Sequence, residues 1–153
     1  MDEAAYQEAL GKALKRLRAS DRFESEVRGA LRRYDVEVVE AVVAYLHRHR
    51  LLDDVRTMAT AVELNAGRRA VGDAMLVDRL VKRGADEELV AARLEEATPE
   101  GERIDALLRA KYRPSDDPAK AGRFLFGRGF SEEAIESALE RYFERREGDT
   151  WAE

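Results

Sequence analysis

The sequence contains no cysteine. That excludes a disulfide, a thiolate nucleophile and any zinc site built on cysteine. Aromatic residues are scarce at 7%, and there are only three prolines in 153 residues, so a strand-rich fold with long loops is not expected. No apolar run comes near the ~20 residues that cross a bilayer. The opening stretch "MDEAAYQEALGK" lacks the basic-then-apolar order of a signal peptide. A soluble, cytoplasmic protein with no membrane partner is expected. Net positive charge is missing too. The formal charge is −5, which argues against sequence-independent binding of duplex DNA, because that needs a clearly basic surface.

What the chain does have is charge and helical spacing. Charged residues make up 39%, and apolar residues recur at three- and four-residue steps almost throughout. Ala5, Tyr6, Leu10, Ala13, Leu14 and Leu17 form one stripe, which predicts a helix ending near Ser20-Asp21. A second helix follows through Val27 and Leu31. Val38, Val39, Val42, Val43 and Leu46 could be read as a strand, but their spacing favours a helix starting after Asp35. Asp53-Asp54 opens a fourth helix, Gly72 to Lys82 forms a fifth, and Asp86 to about Glu96 a sixth. Thr98 as cap with Pro99 at the first helical position opens the seventh. "SDDP" at 115 to 118 starts the eighth, and Ser131 caps the ninth, before the polar tail "REGDTWAE". Nine helices and no strand are predicted.

Two corners of the chain share one pattern. In "RLVKRGADEELVAARLE" and "RFLFGRGFSEEAIESALE", Leu80, Arg83, Gly84, Asp86, Val90 and Leu94 match Leu125, Arg128, Gly129, Ser131, Ile135 and Leu139. Each glycine suits the left-handed residue that commonly ends a helix. Asp86 and Ser131 then suit the cap of the next helix, with Glu87, Glu88, Glu132 and Glu133 in its first turn. A weaker copy lies upstream, where Val27, Leu31, Asp35, Val39 and Val43 match Leu76, Leu80, Asp86, Val90 and Leu94, with a shorter turn and no glycine. A period in the mid-forties is how helical arrays are written. The expected fold is all-α: three tandem three-helix units, residues 1–52, 53–97 and 98–146, forming an elongated, curved array, followed by a tail at 147–153.

Several stretches together are similar to the RecX family. "ALKRLRASDRFESEVRGAL" resembles the family's opening. "LLDDVRTMA" resembles its Leu-Asp-Asp-x-Arg-x-Ala junction, through Leu52, Asp53, Asp54, Arg56 and Ala59. "VGDAMLVDRLVKRGADEEL" fits the middle unit through Gly72, Leu76, Leu80, Gly84, Asp86 and Leu89. "KAGRFLFGRGFSEEAIESAL" fits the third through Arg123, Phe124, Leu125, Arg128, Gly129, Phe130, Ser131 and Ile135. One departure is that the family's basic middle helix reads "GDAMLVDRL" here. The resemblance implies a non-enzymatic regulator of the RecA recombinase, lying in the groove of the RecA filament on single-stranded DNA. It would impede ATP hydrolysis, strand exchange and filament growth, and would need no cofactor. The acidic balance implies that nucleic-acid contact is weak or indirect, and a monomer is expected.

Sharper chemical readings give way to blander ones. Adjacent helical carboxylates such as Asp53 and Asp54 point in different directions, and the helix they open holds no His or Cys, so a cap is the better reading. In "HRHR" at 47 to 50 the histidines are two apart, not the four that would converge on a metal. No metal site is expected. Gly84 and Gly129 lie in no phosphate-loop pattern and read as helix ends, with Gly72, Asp53, Asp54 and Arg56 as further turn and junction residues. Phe124 and Phe130 read as core, Phe126 less clearly so, and Trp151 falls in the polar tail.

One charge feature stands out. Between 109 and 128 lie Arg109, Lys111, Arg113, Lys120, Arg123 and Arg128, against only Asp116 and Asp117. Such a strip is either a solvated face or a surface that meets an acidic protein or phosphate. It is the candidate partner-binding surface, with Arg68, Arg69, Lys82 and Arg83 as further candidates. The sequence leaves two rival functions open: an adaptor unrelated to recombination, and a small DNA-binding regulator built on a helix-turn-helix corner. The Glu-rich starts of the helices after these corners disfavour the second, because phosphates would repel them.

Overall fold

The computed structural model describes residues 1–144, so the polar tail and Trp151 lie outside the described residues. Nine α-helices and one short 3-10 turn make up the regular structure, and no strand occurs among the described residues. The helices are α1 (Glu3–Ala19), α2 (Glu24–Ala30), α3 (Val36–Arg48), α4 (Asp54–Glu63), α5 (Asp73–Arg83), α6 (Glu87–Glu96), α7 (Glu100–Lys111), α8 (Pro118–Gly127) and α9 (Glu132–Tyr142). The 3-10 turn spans Gly67–Arg69. The valine-rich stretch is helical, as its spacing predicts: α3 buries Val38, Val42, Val43 and Leu46.

Contacts gather the described residues into two compact units, one of 1–60 with 80–86, the other of 61–79 with 87–144. These boundaries cut across the sequence repeat, because α4 and α5 each give residues to both. In the first unit α1 and α2 pack on α3. Ala9, Ala13, Val27, Leu31, Val42 and Leu46 form its core. In the second, α7 and α8 pack on α9, and Ile104, Leu107, Leu108, Leu125, Phe130 and Leu139 lie at the centre. The alanines Ala9, Ala13, Ala121 and Ala138 are fully buried. Side chains this small let helix backbones approach closely.

Three helices end in the same way. At the end of α5 the Ala85 N–H donates to the Leu80 carbonyl (2.9 Å) and the Gly84 N–H to that of Val81 (3.0 Å). At the end of α8 Phe130 and Gly129 donate to Leu125 and Phe126 in the same pattern. This double bond satisfies the orphan carbonyls of the last turn and needs one residue at positive φ. Gly84 (121°) and Gly129 (83°) supply it. The third instance closes α3, where Leu51 donates to Leu46 and Arg50 to His47, and the residue at positive φ is Arg50 (57°).

One cap corrects the sequence reading. Pro99, not Thr98, is the N-cap of α7, and no side chain caps that end. The Thr98 carbonyl instead accepts from the Arg103 guanidinium (2.7 Å). Asp35 does sit at the N-cap of α3, but its side chain makes no capping hydrogen bond. Ser131 caps α9 as predicted, accepting from the Ala134 N–H (3.2 Å).

Candidate functional site

The second unit carries the basic strip, and the strip is built around Phe124. This ring leaves α8 half-buried against the core formed by α7 and α9. Lys111, in the last turn of α7, places its ammonium 3.7 Å from the ring centroid. Arg128, the C-cap of α8, lies 4.7 Å from the same ring. A cation over an aromatic face is worth about 0.5–2 kcal/mol, depending on how far it is desolvated. Lys111, Phe124 and Arg128 line a cleft of about 370 Å³ together with Arg68, Leu107 and Ala110. The cleft therefore has apolar walls and three cations.

Those cations are not equivalent. One Arg128 nitrogen donates to the carbonyls of Arg68 and Ala70, both at 3.0 Å. Its guanidinium thus ties the 3-10 turn to the end of α8, and Arg128 is part of the framework of the cleft. Arg109, Lys111, Arg113, Lys120 and Arg123 are exposed, as are Arg68 and Arg69 on the turn. Phe126 is 64% exposed on α8, whereas Phe130 is buried. Near the strip, burial and then the charge of Asp116 push the Tyr112 hydroxyl above its ordinary pKa.

The glycine corner and the start of α5 are joined by backbone. The Gly72 N–H donates to the Arg128 carbonyl at 2.8 Å. Just before it, Asn65 grips Val71 from both sides, accepting from its N–H (2.8 Å) and donating to its carbonyl (3.1 Å). Two further residues hold this junction, and sequence reasoning reaches neither. Glu100 accepts the Asp73 N–H on one carboxylate oxygen (2.7 Å) and the Ser131 N–H on the other (3.0 Å), at the starts of α5 and α9. Arg103 is buried and donates to the Val71 carbonyl (3.0 Å) and to Asp73 Oδ1 (2.7 Å), besides Thr98. A signal for Arg103 is present in the sequence: 103, 104, 107 and 108 form one helical face, three of them apolar.

The first unit has its own polar frame. Asp53 accepts from the Arg56 N–H (3.1 Å) and so caps α4. Asp54 reaches instead to the Glu24 N–H at the start of α2 (2.7 Å). The Arg56 guanidinium donates to the Arg50 carbonyl and so pins the left-handed residue. Arg83, a candidate for partner contact, pairs with Glu26 (3.1 Å), donates to the Asp21 carbonyl and lies 5.1 Å from the Phe23 ring. Its neighbour Lys82 is exposed. Nearby, Glu24 accepts from His47 and Arg28. The His47 hydrogen bond is the main reason its carboxyl lies below the usual range, with Arg28 adding to the effect and burial opposing it. Among the described residues no group of three or more histidine or carboxylate side chains could hold a metal. No described helix is long and apolar enough to cross a membrane.

No family model matches the chain. Individual relatives do. The regulatory protein RecX of Thermus thermophilus is 36% identical over 125 residues, which cover 80% of this chain and 84% of that protein. The chain belongs to the RecX family. The regulatory protein RecX of Serratia proteamaculans is 31% identical over 109 residues, and the match spans 64% of that relative's length. A crystal structure of RecX from Lactobacillus salivarius has the same fold, with a TM-score of 0.72 over 90% of this chain and 96% of that one, at 20% identity. A second RecX crystal structure gives 0.69 over 92% of this chain, at 23% identity. The all-α RecX fold predicted from the sequence is therefore the fold observed.

Proposed function

We propose that this chain regulates a RecA recombinase by binding along the groove of the RecA filament on single-stranded DNA, and that it slows ATP hydrolysis, strand exchange and filament growth. The observation that carries this reading is membership of a family whose named members are regulatory proteins. The chain acts as a binding protein without chemistry of its own, as a monomer, without a cofactor, in the cytoplasm. Each of its repeat units makes a weak contact with the filament, and their connection in one chain raises the overall strength. The exposed cations Arg109, Lys111, Arg113, Lys120 and Arg123 meet acidic protein surface, with Arg68, Arg69 and Lys82 adding to them. Arg128 supports the strip from within the second unit, and Arg83 is held within the first.

The test is retention on immobilised single-stranded DNA, with and without RecA from the same organism and a slowly hydrolysed nucleotide. Retention that requires both RecA and nucleotide is expected, together with a fall in the DNA-dependent ATPase at saturating protein. An ATPase rate unchanged at saturation would remove the inhibitory assignment. Failure of retention would leave an adaptor unrelated to recombination.

A further inference from the structure

The densest cationic stretch of the chain is not the strip at 109 to 128. Residues 12 to 33 hold eight basic side chains against three acidic ones, Asp21, Glu24 and Glu26. In the first unit this stretch forms the second half of α1, the turn after it, and α2. There Lys12, Lys15, Arg16 and Arg22 line a groove of about 460 Å³ whose remaining walls are Ala19 and Ala30. No carboxylate lines it.

Two of the three carboxylates in this stretch are already engaged, and the third, Asp21, is exposed and does not line the groove. Glu24 holds His47 and Arg28. Glu26, which feels the charge of Arg22, accepts from Arg83 and from the Phe23 N–H. Arg22 is half-buried beside them, and its guanidinium joins the lining of the groove. Macrodipole stabilisation accounts for Arg16 in the last turn of α1, but not for Lys12 further back or for Arg22 beyond the helix.

We propose that the α1–α2 groove is a phosphate-binding site that holds the backbone of a single-stranded nucleic acid. Lys12 and Ala19 are seven residues apart on α1, so the groove runs on the order of 10 Å, longer than one phosphate group. Two small alanines keep it open and leave the cations to make the contacts. No aromatic ring lines the groove, so bases are not gripped and binding is indifferent to sequence. A duplex needs a broad basic face, which a chain of net charge −5 does not offer. The site stands without the filament reading, since it concerns the protein alone.

The experiment is fluorescence anisotropy of a labelled oligo-dT with the full chain and no recombinase, across a salt series. Wild type is expected to bind, with affinity falling linearly in log salt. The double variant Lys15→Gln/Arg16→Gln, both exposed positions, should bind at least tenfold more weakly, with a salt slope reduced by about 1.4 and an unchanged melting temperature. The matched variant Arg48→Gln/Arg79→Gln, at exposed positions outside the groove, should keep wild-type binding. No binding at low salt, or equal binding by wild type and the α1 variant, would overturn the proposal. Duplex binding as tight as single-strand binding, or displacement by tripolyphosphate at equal phosphate concentration, would overturn the choice of a single strand as occupant. Because RecA is absent, failure here leaves the filament proposal untouched, and the reverse also holds.

Discussion

Gly72 and Gly129 lie backbone against backbone: a Cβ on Gly72 would stand 2.0 Å from the Gly129 carbonyl oxygen. That oxygen belongs to main chain held in a hydrogen-bonded helix end, so it cannot swing aside. Gly72→Ala should therefore destabilise the protein by about 2–4 kcal/mol, at or above the usual cost of overpacking. Gly129→Val faces a positive φ and a contact of 2.6 Å to Met75 Cβ, and should cost at least about 1 kcal/mol. Urea denaturation of both variants checks this, and a wild-type midpoint for Gly72→Ala would show that the two backbones can separate.

Arg50 offers the opposite change. It occupies the left-handed position that glycine fills at the ends of α5 and α8, and it is exposed. Its carbonyl, not its side chain, receives the Arg56 guanidinium. Arg50→Gly should raise stability by about 0.5–1 kcal/mol, read as an increase in melting temperature. A lower melting temperature would mean that the Arg50 side chain makes a contribution larger than the strain relieved.

Arg103→Ala should be among the most damaging single changes in the second unit. The side chain is 4% exposed, and its removal takes the donor from the Thr98 carbonyl and Asp73 and leaves the Val71 carbonyl with Asn65 alone. A loss of about 3–5 kcal/mol is expected in chemical denaturation. Arg103→Met, which keeps much of the volume, should cost less than the alanine change if packing matters alongside the hydrogen bonds.

Arg123 and Arg128 should separate binding from stability. Arg128→Glu breaks two carbonyl contacts and the stacking on Phe124, so its melting temperature should fall, by the equivalent of about 2–3 kcal/mol. Arg123→Glu, at an exposed position, should leave melting unchanged and weaken RecA filament binding in a salt-sensitive way. Equal filament binding by Arg123→Glu and wild type would make Arg123 an ordinary solvated residue.

Acid should loosen the first unit through Glu24. Its carboxyl is depressed in the folded state, chiefly by the His47 hydrogen bond, so the unfolded chain takes up the proton first. The contribution is fully present above the ordinary carboxylate value and fades as pH falls through the depressed one. The partners are substantially exposed, so the effect should not exceed about 1 kcal/mol. Melting curves of wild type and Glu24→Gln between about pH 6 and pH 3 should converge at the acid end. A constant gap would assign the difference to something other than this proton.

Helices are readable in this sequence because their signal is local. The Leu80 and Leu125 stripes, the positive-φ glycines and the Ser131 cap each follow from a few neighbouring residues. Long-range polar chemistry is what escapes. In sequence Glu100 is one more acid in a first turn, yet its partners lie 27 and 31 residues away. Arg128 reads as a free cation because nothing near it in sequence reveals the carbonyls of Arg68 and Ala70. The basic groove stays hidden for another reason: Lys12, Lys15 and Arg16 read as the wet side of an amphipathic helix, and Arg22 joins them only once the chain turns.

The carboxylate of Glu100 has a consequence for how chain length can vary. α5 and α9 begin on the same side chain, so neither start can slip by a residue without detaching from the other. Insertions and deletions must be absorbed elsewhere, and the exposed turn at 113–117 between α7 and α8 is suited to it. Residues added there would lengthen only that turn while both helix starts keep their register.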